Sequence, residues 1–237
     1  MNNKSLIKKV KNLPVPILPT MVGAFTLSNV YSGMGYTWIR HITAWAAIAV
    51  ILSYILKICF HFDTVKKEYS NTIPASLYAG FTMLTMILGS YFYNASPVFG
   101  KTLWFVGLIL HAIQILVFTY NNVIKNFNMQ TFVPSWFVTY NGIMVSTVVG
   151  GVMNEPLIGK IVVYYGIAVF TVIIPFMIYR LAKHEIKDPV YHTQAILLAP
   201  SSLCLVSYLN FISTPNKFII YYLYCAVICA LIFILIK

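Results

Sequence analysis

Four stretches of this 237-residue chain place hydroxyls, glycines and prolines at helical spacing inside apolar surroundings. Tyr78, Thr82, Thr85 and Gly89 follow steps of 4, 3 and 4 residues, which gathers them on one face of a 3.6-residue helix. Ser135, Thr139, Gly142, Ser146 and Gly150 repeat that stripe, and Pro19, Gly23 and Thr26 begin a similar one. Pro200, Ser201 and Ser202 interrupt a fourth apolar run, "ILLAPSSLCLVSYL" over residues 196–209. Such side chains coordinate rather than react. Their hydroxyls and nearby backbone groups can line a path for a solute, or they can bond to their own helix and let helices pack closely. Each residue alone is open to both readings; four equivalent stripes together favour a polar path.

The residues that would drive bond-making chemistry are sparse. No glycine-rich phosphate loop, H-E-x-x-H, G-x-S-x-G or clustered Cys/His site is present, so an enzyme is not expected, nor is a cofactor or metal. Cys59, Cys204, Cys225 and Cys229 fall within or beside apolar runs and read as small apolar fillers. His111 and Gln114 sit inside an apolar run, where an interhelical hydrogen bond is the plain reading. His192, beside Tyr191, reads as packing at a helix mouth, while Asn141 and Gln194 are either clasps between helices or solute contacts. Asn94-Ala95-Ser96 matches a glycosylation acceptor, a match that chance readily supplies. All five acids, Asp63, Glu68, Glu155, Glu185 and Asp188, fall outside the apolar runs and read as loop residues. Ion-coupled pumps keep a titratable group at membrane depth, so this distribution favours passive movement of anions or neutral solutes over cations.

The elements that must position these stripes follow from composition. The chain is 59% hydrophobic and 9% charged, with a mean hydropathy of +0.81, which marks an all-α integral membrane protein. Eight spans are predicted, near 16–36, 41–60, 74–93, 102–121, 134–153, 159–180, 191–211 and 218–236. The basic segment 1–13 carries no small-residue cleavage site and reads as a cytoplasmic tail. With the N-terminus inside, the inner loops and ends collect twelve basic residues: Lys4, Lys8, Lys9, Lys11, Lys57, Lys66, Lys67, Lys125, Arg180, Lys183, Lys187 and Lys237. The outer side has four, Arg40, Lys101, Lys160 and Lys217, so the net charge of +11 follows from topology rather than from a nucleic-acid partner.

Prolines mark alternate spans. Pro14, Pro74, Pro134 and Pro189 lie 60, 60 and 55 residues apart, defining hairpin repeats near 14–60, 74–121, 134–180 and 189–237 within one transmembrane domain. Successive two-helix units keep the same orientation and can be related by an axis along the membrane normal. In 20-residue windows the odd helices hold 32 Ser, Thr, Asn, Gln, Gly and Pro residues and the even helices 10. Lipid offers polar groups no partner, so the odd helices are expected to form an inner ring around a central pore and the even ones an outer, lipid-facing ring.

"GAFTLS" (23–28), "YSNTIPASLYAGFTMLTMILGSYFYNASP" (69–97), "PSWFVTYNG" (134–142) and "ILLAPSSLCLVSYL" (196–209) resemble the tellurite-resistance/dicarboxylate transporter family, which includes bacterial TehA and is related to the plant slow anion channels. The last stretch is the most specific, and the similarity extends over nearly the whole chain. The resemblance implies a multi-pass protein of the bacterial plasma membrane. It implies five hairpins in quasi-symmetric rings, kinked inner helices around a pore, and a homotrimer that passes small inorganic or organic anions. It also implies a gating phenylalanine on a fifth inner helix. Here the next repeat would begin near 244–249, beyond Lys237, so no gate residue is assigned. The fifth hairpin is accounted for by a chain that is a piece of a longer one, by a naturally short product, or by a partner subunit. The implied activities are an anion channel or passive anion transporter, or alternatively a C4-dicarboxylate or tellurite secondary transporter. A non-transporting membrane scaffold subunit is the reading from another class, and it requires stripes wholly buried against neighbouring helices.

Overall fold

Apolar runs of about 20 residues must satisfy their backbone internally in lipid, and among the described residues the chain does so with helices alone. The structure, a computed structural model, describes residues 8–185 and 188–236. Lys4, Lys187, Lys237 and the first seven residues of the basic tail lie outside the described residues. The chain forms two compact units, Met1–Leu110 and His111–Lys237.

In the first unit, α1 (Ile17–Gly33) follows Pro14 and Pro16, whose missing N–H groups cost little at a helix start. A turn carrying Gly35 at a φ of 95°, in the left-handed region open to glycine, returns the chain into α2 (Thr37–Phe60). The short amphipathic α3 (Phe62–Tyr69) then leads to α4 (Thr72–Leu77) and α5 (Ala79–Tyr93), one apolar span stepped at Tyr78. The beginning of α6 (Pro97–Thr119) completes the unit. Helix α5 is its core: every residue from Thr82 to Gly89 is buried. Small residues allow the close approach. A Cβ at Gly80 would lie 2.8 Å from the backbone of Pro19 in α1, and one at Gly89 would lie 2.7 Å from the backbone of Trp104 in α6.

In the second unit, α6 loosens into a wider turn over Tyr120–Lys125 before a loop enters α7 (Trp136–Tyr140). Then come a 3-10 turn at Gly142–Met144, α8 (Val145–Val149) and a second 3-10 turn at Gly150–Met153. Asn154, at φ 54° and ψ 48°, ends the run. The long α9 (Pro156–Lys183) follows, with Pro156 in its first turn, and a 3-10 segment, Asp188–Leu197, feeds α10 (Leu198–Phe211). Helix α11 (Lys217–Ile236) packs beside α10 and buries Leu223 alone.

Among the described residues six helices are long and apolar enough to cross a membrane: Thr37–Phe60, Thr72–Tyr93, Pro97–Lys125, Pro156–Lys183, Tyr191–Phe211 and Lys217–Ile236. Two of the eight predicted spans differ. The first is a 17-residue helix, and the fifth is broken into α and 3-10 pieces, because Asn141, Gly142, Gly150 and Gly151 are poor helix formers placed where each piece ends. The contrast between the two kinds of span is visible in burial. Buried residues make up 78% of the apolar 18-residue stretch within Thr72–Tyr93 and 44% of that within Tyr191–Phe211, against 22, 39, 28 and 6% in the four even-numbered spans.

The acids also differ from expectation. Asp63 and Glu68 belong to helix α3 rather than to a loop, because the polar connector has enough amphipathic character to wind for two turns against the end of α2.

Candidate functional site

The polar residues gather in a cluster at one end of the first unit and in a buried network within the second. In the first unit, Lys57 sits one turn before the end of α2 and is 0% exposed. Its Nζ donates to the Leu13 carbonyl at 2.7 Å and to both carboxylate oxygens of Glu68, at 2.8 and 2.9 Å. The Tyr78 hydroxyl donates to Glu68 Oε2 at 2.5 Å, and the Tyr54 hydroxyl donates to the Pro14 carbonyl at 2.9 Å. The rings of Tyr54, Tyr69 and Tyr78 pack edge-on or tilted at 6.1 and 5.9 Å, and the Lys57 ammonium lies 5.5 Å from the Tyr54 ring centre. Burial pushes the Tyr69 phenol above its ordinary value, so it stays neutral. One ion pair thus ties the segment before α1, the end of α2, the connector α3 and the step at Tyr78.

The predicted stripe residues fall in different settings. On α1, Gly23 is exposed with open space where a Cβ would be, and Thr26 is half-buried. On α5, Thr82 Oγ1 donates to the Ala79 carbonyl at 2.8 Å and Thr85 Oγ1 to the Phe81 carbonyl at 2.9 Å. Gly89 faces the α6 backbone. At the opposite end of this unit from Lys57, His41 Nδ1 lies 2.7 Å from the Tyr91 hydroxyl, and the Arg40 guanidinium lies 5.8 Å from the Tyr91 ring centre.

In the second unit, Thr139 and Ser146 are fully buried, and the Thr139 carbonyl lies 2.9 Å from His111 Nε2, joining α7 to α6. Asn141, at the break after α7, donates through Nδ2 to the Gly166 carbonyl at 3.0 Å and approaches Met144 Sδ and Cys204 Sγ at 3.7 Å. That amide bonds the broken span to α9. A buried hydroxyl pair lies nearby: Thr147 Oγ1 is 2.6 Å from Ser207 Oγ and 2.6 Å from the Met144 carbonyl oxygen. Thr147 also borders a cavity of about 400 Å³ lined by Gly151, Asn154, Glu155 and Asn210. Toward the other end, the buried Arg180 donates to the carbonyls of Met129, His184 and Glu185.

Pro200 occupies the first turn of α10, two residues after the change from 3-10 to α winding, rather than breaking an α-helix. Ser201 and Ser202 both donate to the Leu198 carbonyl, at 3.1 and 2.8 Å. The carbonyl deprived of an α partner by Pro200 is that of Ile196, so the hydroxyls do not replace the lost bond. Gln194, buried, donates to the Tyr191 carbonyl at 3.3 Å, a local bond rather than a clasp.

Lys57, Glu68, Arg180, Thr147 and Ser207 were not singled out as site residues by sequence reasoning. A basic residue near the end of an apolar run is what cytoplasmic topology already predicts, so Lys57 and Arg180 carried no separate signal. The usable hint for the Lys57–Glu68 pair was an acid directly after Lys66 and Lys67 in a connector whose other acid is Asp63.

Comparison with known proteins supplies the remaining observation. The profile of a family described as voltage-dependent anion channel (SLAC1) matches residues 19–236. The tellurite resistance protein TehA homolog of Haemophilus influenzae is 22% identical over 170 residues, covering 69% of this chain and 50% of that protein. The chain therefore spans about half the length of that relative.

Proposed function

The chain belongs to the SLAC1 voltage-dependent anion channel family, a membrane-embedded family of anion channels and transporters, and from that membership we propose that it passes small anions passively across the bacterial plasma membrane. The observation that carries this reading is the family match over residues 19–236, joined to the distribution of charge. The described acids lie outside the six membrane-crossing helices. In the first unit the lining candidates are Gly23, Thr26, Tyr78, Thr82 and Thr85, on α1 and α4–α5; in the second they are Thr139, Gly142, Ser146, Pro200, Ser201 and Ser202, on the broken α7–α8 run and α10. Gly89, on the same stripe, is the member whose surroundings favour packing. The greater burial of the two polar-rich spans supports an inner position for them, and the burial of Leu223 alone in Lys217–Ile236 supports a lipid-facing one. The N-terminus is proposed to be cytoplasmic and the assembly a homotrimer.

A coupled secondary transporter for dicarboxylates or tellurite is favoured by one specific observation: Glu68, a carboxylate 26% exposed, is held against a buried ammonium and the step in the α4–α5 span. Currents in reconstituted bilayers with gradients of chloride, nitrate and malate separate the readings. The passive reading expects reversal potentials that track the anion gradient with no dependence on a proton gradient. Reversal along the cation gradient refutes anion permeation, and a strict requirement for a proton gradient moves the assignment to the coupled transporter.

A further inference from the structure

An anion site consists of donors that converge on one point and are already paid for by the fold, and the end of α2 contains such a set. The Lys57 ammonium is 0% exposed and oriented by the Leu13 carbonyl at 2.7 Å, and the Tyr78 side chain is buried at the step between α4 and α5. Both belong to packed spans, so the receptor half of the arrangement is fixed. Its occupant is different in kind. Glu68 is carried by an eight-residue connector helix with no buried residue of its own, and its side chain retains 26% exposure. The carboxylate is gripped at both oxygens by Lys57 and at Oε2 by Tyr78, as a free carboxylate would be in a site built for one.

We infer that Lys57 and Tyr78 form a binding subsite for a small carboxylate, and that Glu68 is a tethered internal occupant which a free carboxylate displaces. The ligand class is a compact monocarboxylate of the formate or acetate type, with two coplanar oxygens and one negative charge. Exchange preserves the charge count. The incoming anion takes the ammonium and the phenolic hydroxyl, and the Glu68 carboxylate turns from its partly exposed position into water. A competitor that the chain itself holds in place acts at a high effective concentration, so a free carboxylate binds more readily once it is gone. The inference rests on side-chain geometry and is separate from the transport reading.

The test is saturable binding of radiolabelled formate to the full chain in detergent micelles, at constant ionic strength set with chloride. Glu68→Gln and Glu68→Ala are expected to bind formate with a stoichiometry of one per chain and at least tenfold more tightly than the unaltered chain. In the same variants, formate is expected to restore most of the melting temperature lost on substitution. Tyr78→Phe in the Glu68→Gln background is expected to weaken binding severalfold, and Lys57→Met in that background to abolish it. Glu68→Gln is nearly isosteric and keeps the test available where Glu68→Ala does not fold. If neither variant folds, competition of formate with Glu68 in the unaltered chain, read from formate line broadening by NMR, decides the matter; an absence of broadening overturns the inference. Absence of saturable binding in the variants, or binding that persists without Lys57, overturns it as well. Failure of anion currents with formate binding intact removes the transport reading and leaves this site standing.

Discussion

Gly23 and Gly89 are the same residue on equivalent stripes, and replacing each with alanine separates lining from packing. A Cβ at Gly89 would lie 2.7 Å from Trp104 N, 2.8 Å from the Gly100 carbonyl oxygen and 2.9 Å from Trp104 Cα. Ordinary carbon contacts need about 3.5 Å, so the shortest of these falls short by about 0.8 Å. All three obstructing atoms are backbone, so no side-chain rotation relieves the overlap and α5 must move off α6. Overpacking of this kind costs about 3 kcal/mol at its upper end. Alanine returns about 1 kcal/mol through its helix propensity, leaving Gly89→Ala destabilised by about 2 kcal/mol. At Gly23 nothing lies within 4 Å of the new methyl, so Gly23→Ala keeps the propensity gain and is expected to be neutral or slightly stabilised. The predicted gap between the variants is about 3 kcal/mol, roughly a hundredfold in the folding equilibrium. Equilibrium unfolding by SDS in mixed micelles measures it, with tryptophan fluorescence as the signal, since Trp104 is 2% exposed and sits at the altered contact. Equal stability of the two variants refutes the packing argument for Gly89.

A related contact is softer. A Cβ at Gly166 would overlap Met144 Sδ, an obstruction carried by a flexible side chain, so Gly166→Ala should destabilise the second unit and Met144→Ala should relieve it. The double variant is expected to be more stable than the sum of the single effects by about 1 kcal/mol in the same titration, and strict additivity would disprove the contact. Pro200→Ala is expected to change stability by less than about 1 kcal/mol, because Pro200 lies in the first turn of α10 rather than inside an uninterrupted α-helix. A loss above about 2 kcal/mol would mean that the ring itself holds the junction with the 3-10 segment.

Hydropathy made six of the spans legible, because length and apolarity are written directly into the residues and need no tertiary information. The division into polar-rich and apolar spans was legible for the same reason, and it reappears as unequal burial. The break in the fifth span lay in plain view as Asn141-Gly142 and Gly150-Gly151, yet hydropathy averages over such pairs and returns one continuous segment. The Lys57–Glu68 pair was not legible. Eleven positions separate the partners, and their meeting depends on the bend at His61, where φ −135° and ψ 42° turn α3 away from the line of α2. Identity and spacing place Gly23 and Gly89 on comparable stripes; only the neighbour across the helix, empty in one case and backbone in the other, tells them apart.

The winding of Asp188–Leu197 sets both reach and phase. Ten residues at about 2.0 Å each advance roughly 20 Å, about 5 Å further than the same residues in an α-helix. They also turn by about 120° per residue instead of 100°, so positions three apart fall in line. Gln194 and Leu197 are buried at that interval, and from Pro200 onward the buried positions shift to mixed steps of three and four, through Cys204 and Tyr208. The chain thus changes gear within one span: a substitution two residues before Leu198 and another two residues after it obey different periodicities, and a stripe drawn with a single helical repeat across this junction would assign one of them to the wrong face.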